Sequence, residues 1–150
     1  MNNSNEMMLS FLSKSVNESF ARVSVAAFAS QLDPTVEELA EIKTVVSEAV
    51  TNSIVHGYKD RLGMIHMKVQ ILSDSVSGTL KITVKDAGIG IPDVKKAMEP
   101  CFTTGSDDRA GMGFTIMQSF CDRFKIRSAP GKGTTVYMEK TIVKRSLSRS

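Results

Sequence analysis

A long amphipathic segment, DPTVEELAEIKTVVSEAVTNSIVHG, constrains the fold more than any other part of the sequence. Pro34 suits the first turn of a helix and disfavours helix for the residue before it. Gly57 is a typical helix stop. Apolar residues recur every three or four positions between them, which predicts a helix from about Thr35 to His56 with one apolar seam.

Two polar residues, Glu48 and Asn52, interrupt the back half of this helix. Positions four apart lie on the same helix face, so the carboxylate and the amide are neighbours. A solvated flank explains such a pair, and so does a metal or phosphate site. The helix alone leaves both explanations open.

The remaining elements follow from periodicity and turn residues. Strands are expected over 7–13, 64–72 and 78–86, helices over 17–32 and 114–124, and a closing hairpin around 129–133, with Asn17 as the N-cap of the first helix. The order β-α-α-β-β-loop-loop-α-β-β predicts an α+β fold. It is an α/β sandwich whose mixed, mostly antiparallel sheet has helices packed on one face.

Composition is that of one soluble domain: 150 residues, 41% hydrophobic and 23% charged. No apolar run reaches the ~18–20 residues of a membrane-spanning helix, and the N-terminus does not resemble a secretory signal, so we expect a cytoplasmic protein without a membrane partner. Cys101 and Cys121 show no metal-binding spacing, which predicts two reduced thiols. The net charge of +3 comes without a basic stripe interleaved with aromatics, so no direct nucleic-acid binding is expected. The basic stretch from about 141 to 150 is expected to be a flexible tail.

Two glycine-bearing loops follow the long helix. Asp86-Ala87-Gly88-Ile89-Gly90-Ile91-Pro92 comes directly after a strand, and Gly111-Met112-Gly113 comes directly before a predicted helix. Glycines admit close approach of a ligand, and a helix N-terminus attracts phosphate. Arg109 adds a guanidinium suited to phosphate oxygens, and Asp86 can accept hydrogen bonds from an amino group such as that of adenine. The first loop alone is equally compatible with a structural turn, and a GMG sequence before a helix is more often a plain turn.

The order of these motifs resembles the GHKL (Bergerat) family of ATP-binding proteins. EAVTNSIVHG is similar to the N box of that family, DAGIGIPD to its first glycine box, and GMGFTIM to its second. The stretches NESFARV, QLDPTVEELAEIKTVVSEAVTN and CFTT resemble, more narrowly, the anti-sigma serine kinases within the family. The resemblance runs from about residue 16 to residue 140.

The resemblance implies ATP or ADP and Mg²⁺ as cofactors. Asn52 would be the Mg²⁺ ligand and Glu48 the general base. Asp86 would hold the adenine amino group, while His56 either faces the site or packs at the helix end. The remaining nucleotide-binding positions that it implies are Gly88, Gly90, Ile91, Thr103, Thr104, Arg109, Gly111, Met112, Gly113, Phe114, Thr115 and Thr134. Among these, Gly88 and Gly90 would give the base and ribose room, and Phe114 and Thr115 would open the last helix.

The resemblance also implies a homodimer that binds and inhibits a sporulation sigma factor, sigma factor F, and phosphorylates an anti-anti-sigma factor on serine. Arg22 would contact these partners. A kinase of the general-stress sigma branch and a nucleotide-gated binding module with little kinase activity are the alternatives. Two departures from the family pattern, Gly105-Ser106 in place of Lys-Pro in a lid one residue shorter and Ala87 in place of an acidic residue, leave the turnover rate open.

Overall fold

The computed structural model describes residues 3–98 and 108–143, and its side chains in the second range from residue 112 onward. The strands are β1 (Asn3–Leu12), β2 (Met64–Ser73), β3 (Ser77–Asp86), β4 (Arg123–Ala129) and β5 (Gly133–Val143). The helices are α1 (Val16–Ala29), α2 (Val36–Asn52), α3 (Val94–Met98) and α4 (Asp108–Phe120). A short 3₁₀ turn, Ser30–Leu32, follows α1.

The five strands form one sheet in the order β1-β2-β3-β5-β4. Each neighbouring pair is antiparallel, so the expected α+β sandwich is confirmed with an antiparallel sheet. Alternate residues of β2 and β3 are buried, as a sheet covered on one face requires. The core lies between that face and the helices, where α2 packs against both α1 and α4. No helix in the described ranges is long and apolar enough to cross a membrane.

Helix α2 begins with a capping box. The Thr35 hydroxyl accepts a hydrogen bond from the Glu38 backbone N–H at 3.0 Å, and the Glu38 carboxylate accepts one from the Thr35 N–H at 2.8 Å. At its C-terminal end the predicted helix is not α-helical up to His56. The α-helix ends at Asn52, and a π-helical turn, Ser53–Gly57, continues it. Turns of this kind often occur at functional sites.

Other element boundaries also differ from the sequence-based expectations. Strand β1 begins at Asn3 because all ten of its residues pair with β2. Ser15, not Asn17, is the N-cap of α1, and the Asn17 amide instead donates to the Leu12 carbonyl. Strand β5 continues to Val143, so any tail begins later than expected. Helix α4 ends at Phe120 rather than at 124, because β4 already begins at Arg123. The start of α4 also differs, and it is described with the site.

Candidate functional site

A cavity of about 350 Å³ opens between α2, α3, α4, strand β5 and the loop after β3. This volume is within the range of small-molecule sites. The walls are mostly apolar, with a few polar side chains. The lining residues are Ala49, Asn52, Ser53, His56, Lys59, Asp86, Ile89, Gly90, Ile91, Pro92, Asp93, Ala97, Phe114, Thr134 and Val136.

Asp86, the last residue of β3, is a buried carboxylate on the cavity wall, with only 3% of its surface exposed. Its Oδ2 accepts a hydrogen bond from the Ser53 hydroxyl at 2.8 Å, and its Oδ1 accepts one from the Gly88 N–H at 2.9 Å. These two donors fix the carboxylate and still leave lone pairs for a ligand. The arrangement suits a ligand that presents an amino group.

Close backbone contacts explain the glycines of the first loop. A Cβ at Gly88 would lie 2.0 Å from the Gly57 carbonyl oxygen, and the Ile89 N–H donates to that oxygen at 2.9 Å. Gly90 has a φ of +78°, and a Cβ there would lie 2.0 Å from the Ala129 carbonyl oxygen. The space at Gly88 is therefore filled by Gly57, at the end of the π-helical turn, and is not open to a ligand. Gly90, in contrast, also lines the cavity.

Glu48 and Asn52 face the place where α2 meets α4. Oε2 of Glu48 lies 2.8 Å from the position that a Cβ would take at Gly113, and Nδ2 of Asn52 lies 3.7 Å from it. Asn52 also lines the cavity, but Glu48 does not. The pair thus spans the edge of the cavity, one turn apart on the same helix.

The second glycine loop lies inside a helix. Because α4 begins at Asp108, Arg109, Gly111, Met112 and Gly113 belong to it, and the expectation that the helix opens at Phe114 and Thr115 is wrong. The acidic residues at 107–108 favour a helix N-terminus. A glycine inside a helix costs only ~1 kcal/mol, and the packing of α4 against α2 offsets this cost. The N–H groups free of intrahelical partners are then those of the first turn, residues 108–111.

The remaining predicted site residues divide into three groups. His56, Ile91, Phe114 and Thr134 line the cavity, so the structure favours the site-facing alternative for His56. Met112 is exposed and Thr115 is half-buried on α4. Thr103 and Thr104 lie outside the described residues.

The sequence profile of the histidine kinase-like ATPase domain matches residues 12–140. The anti-sigma F factor of Thermoanaerobacter sp. (strain X514) is 57% identical over 143 residues, which cover 95% of this chain and 97% of that protein. The chain belongs to the anti-sigma F factor family of histidine kinase-like ATPases. A second member, the anti-sigma F factor of Geobacillus kaustophilus (strain HTA426), is 56% identical over 142 residues, 93% of this chain and 94% of that protein. The histidine kinase domain from the Erythrobacter litoralis EL346 blue-light activated histidine kinase superposes with a TM-score of 0.49 at 20% identity, over 86% of this chain and 61% of that chain.

In this member of the anti-sigma F factor family, one side chain of the site, Asn52, has the donor chemistry of a magnesium ligand. Nδ2 of Asn52 is buried without a hydrogen-bond partner in the described part of the chain. Because the two ends of an amide are assigned by their partners, the oxygen can equally occupy this position and serve as a ligand for a hard cation. No cluster of three His, Cys, Asp or Glu side chains is placed to hold a metal among the described residues. Phosphate and water oxygens would have to complete the coordination.

Sequence reasoning missed several residues of this site. Ser53 continues the apolar seam of α2 at helical spacing, and a serine at such a position needs a buried partner, which was the available signal. Tyr58 was also missed: its hydroxyl accepts from the Ala87 N–H and donates to the Met64 carbonyl, both at 2.7 Å, and so holds the first glycine loop. Lys59 also lines the cavity, and nothing in the sequence indicates that position.

Arg22 lies on α1, apart from the cavity. Its Nε is 3.6 Å from Glu18 Oε2, and 40% of its side chain is exposed. Phe20 and Val23 beside it in sequence are 55% and 59% exposed. The structure therefore places Arg22 half-buried on α1 near Glu18, with Phe20 and Val23 as exposed apolar side chains elsewhere on the same helix.

Proposed function

We propose that this chain is an anti-sigma factor and an ATP-dependent protein-serine kinase. It binds and inhibits the sporulation sigma factor, sigma factor F, and phosphorylates the anti-anti-sigma factor on serine. The observation that carries the proposal is the carboxylate–amide pair of Glu48 and Asn52 at the edge of a cavity with a buried aspartate. The family name shared by relatives at 52–57% identity supports the sporulation branch over the general-stress branch.

The cavity accepts the adenosine end of ATP. Asp86 accepts a hydrogen bond from the amino group of the base, since its carboxylate is buried, fixed by two donors and exposed to the cavity. The apolar walls cover the faces of the base. The phosphates then extend along Asn52 toward the first turn of α4, where unpaired N–H groups and the helix dipole favour negative charge.

The amide oxygen of Asn52 would hold Mg²⁺, and the bound ion would neutralise charge on the phosphates. The serine hydroxyl of the protein substrate attacks the terminal phosphorus, the bond from that phosphorus to the ADP oxygen breaks, and the carboxylate of Glu48 takes the hydroxyl proton. A protein that only bound nucleotide would need the phosphate contacts but no base. Glu48 at this position therefore supports a kinase over a nucleotide-gated binding module.

Helix α1 provides the partner surface. Arg22 supplies a charge that can pair with a carboxylate, and Phe20 and Val23 supply apolar area at helical spacing. We assign this surface to the sigma factor and the anti-anti-sigma factor, on a homodimer located in the cytoplasm.

Substitution of the general base, Glu48, separates kinase activity from binding of the sigma factor. The protein is incubated with Mg²⁺-ATP and the anti-anti-sigma factor, phosphoserine is measured, and ATP-dependent capture of the sigma factor is measured in parallel. We expect Glu48→Gln to keep ATP binding and sigma capture while transfer falls at least about 100-fold. Transfer at the normal rate by Glu48→Gln would remove Glu48 from the mechanism, and wild-type protein that captures sigma factor but forms no phosphoserine would refute the kinase.

A further inference from the structure

Ser128 joins two segments that build the cavity, although it does not line the cavity itself. Its Oγ accepts a hydrogen bond from the Ile91 N–H at 2.7 Å and donates one to the Gly133 carbonyl at 2.9 Å. The same Oγ lies 2.8 Å from Oγ1 of Thr134, which is a cavity-lining residue. Ser128 is thus in contact with the first glycine loop and with strand β5 at once.

The direction of the third hydrogen bond, between the hydroxyls of Ser128 and Thr134, follows from the other two bonds of Ser128. A serine hydroxyl has one hydrogen and two acceptor lone pairs. The hydrogen is used by the Gly133 carbonyl and one lone pair by the Ile91 N–H. Only a lone pair is left for Thr134, so the Thr134 hydroxyl must donate to Ser128. Thr134 then has no hydrogen left for a ligand and can only accept.

Asp86 and Thr134 are directly opposite each other in the β3–β5 pairing, and both line the cavity. The cavity wall therefore presents two neighbouring acceptors. A nucleotide whose base carries an amino group satisfies them, whether directly or through a water. A base with a carbonyl oxygen in that position places acceptor against acceptor, which is a desolvated mismatch.

We infer that Ser128 is a specificity-determining positioning residue: by taking the proton of Thr134, it makes the cavity select a 6-aminopurine nucleotide over a 6-oxopurine nucleotide. The inference rests on the proposed nucleotide binding and assigns a role to a residue that does not touch the ligand. Without Ser128, the Thr134 hydroxyl is free to rotate and to donate to a 6-oxo group.

The test compares dissociation constants for ATP and inosine triphosphate, which has a 6-oxo group and an N1–H where ATP has a 6-amino group and an unprotonated N1. Calorimetric titrations are made on wild-type protein, Ser128→Ala, Thr134→Val and the double variant. We expect Ser128→Ala to lower the preference for ATP over inosine triphosphate by about three- to tenfold. In the Thr134→Val background the same substitution should change the preference less than about twofold, because the residue through which Ser128 acts is absent.

Two further variants keep the result interpretable. Ser128→Thr keeps a hydroxyl and should keep the preference, and Ser119→Ala removes an exposed α4 hydroxyl that donates only to the Ile116 carbonyl and should have no effect. If Ser128→Ala does not fold in a thermal melt, Ser128→Cys, whose thiol is a weak donor and acceptor, takes its place with the same expectation.

An unchanged preference in Ser128→Ala, or an equal change in the Thr134→Val background, would overturn the inference. Wild-type protein that binds ATP without preferring it to inosine triphosphate would overturn the inference and leave the proposed function standing. Wild-type protein that binds neither nucleotide would overturn both.

Discussion

Replacing Gly113 by alanine should separate the stability of the fold from its activity. Gly113 lies in the middle of α4, and its absent Cβ leaves room for the Glu48 carboxylate. An alanine Cβ would lie 2.8 Å from Glu48 Oε2, while the other nearby atoms, Asn52 Nδ2 and the Glu48 carboxyl carbon, remain at 3.7 and 3.8 Å. The substitution therefore displaces the tip of one flexible side chain and no backbone.

Both consequences can be estimated. Removing a helical glycine stabilises a helix by about 0.5–1 kcal/mol, which corresponds to a Tm increase of roughly 1–4 °C for a domain of this size. To restore an ordinary contact of 3.4 Å, the carboxylate has to retreat by roughly 0.6 Å. Because a misplacement of ~1 Å can cost about 100-fold in rate, we expect phosphate transfer to fall roughly 10- to 100-fold.

The assay pairs a thermal melt with the rate of phosphoserine formation at saturating ATP. Ser119→Ala, an exposed position on the same helix, is the matched control: it should raise the Tm slightly and leave the rate unchanged. A normal transfer rate in Gly113→Ala would refute the placement of the base against α4. A Tm several degrees below that of wild type would refute the assertion that only a flexible side chain has to move.

Two further predictions concern the fold around the site. Gly90→Ala combines a φ of +78° with a backbone contact at 2.0 Å, so urea unfolding should show that the free energy of unfolding falls by at least about 3 kcal/mol. Gly131→Ala has a φ of +75° but nothing within 4 Å, so its free energy of unfolding should fall by only about 1 kcal/mol. Equal losses would show that the close approach of Gly90 to its neighbour does not matter. Burial raises the pKa of the Cys121 thiol to about 11 from 9.0, so in a Cys101→Ser background at pH 8 the thiolate population, and the rate of reaction with a disulfide reagent, should be about 100-fold below that of the unfolded chain. Because the folded pKa is the higher one, the associated stabilisation is complete below pH 9 and is lost as the pH rises towards 11; equal rates in folded and unfolded protein would contradict this.

Local signals made the central helix and the end of β3 predictable. Thr35 marks the start of α2, and the capping box makes it the N-cap. Pro34 lies just before the N-cap rather than in the first turn, so it marks the boundary but not the first helical residue. The step from an alternating strand to glycines likewise placed Asp86 at a strand end. These features depend on residues within a few positions of one another, which is the information that a sequence displays directly.

Features that depend on tertiary contacts were not predictable in this way. The glycines at 111 and 113 indicate a helix break, but packing of α4 against α2 outweighs their propensity. Ser128 meets Ile91 across 37 positions of sequence, and Lys140 meets Glu41 across 99, at 2.6 Å. Nothing near either residue in the chain indicates its partner.

The most direct test of the account is a calorimetric titration of ATP into wild-type protein and Asp86→Asn in the presence of Mg²⁺. The buried Asp86 carboxylate is the group proposed to hold the base, and in the variant the Ser53 hydroxyl can turn to accept from the new amide, so the fold should persist. We expect one nucleotide per wild-type chain and binding about 100-fold weaker in the variant, because a buried hydrogen bond to a charged group is lost. Equal affinity of the two proteins for ATP would contradict the assignment of this cavity to the nucleotide.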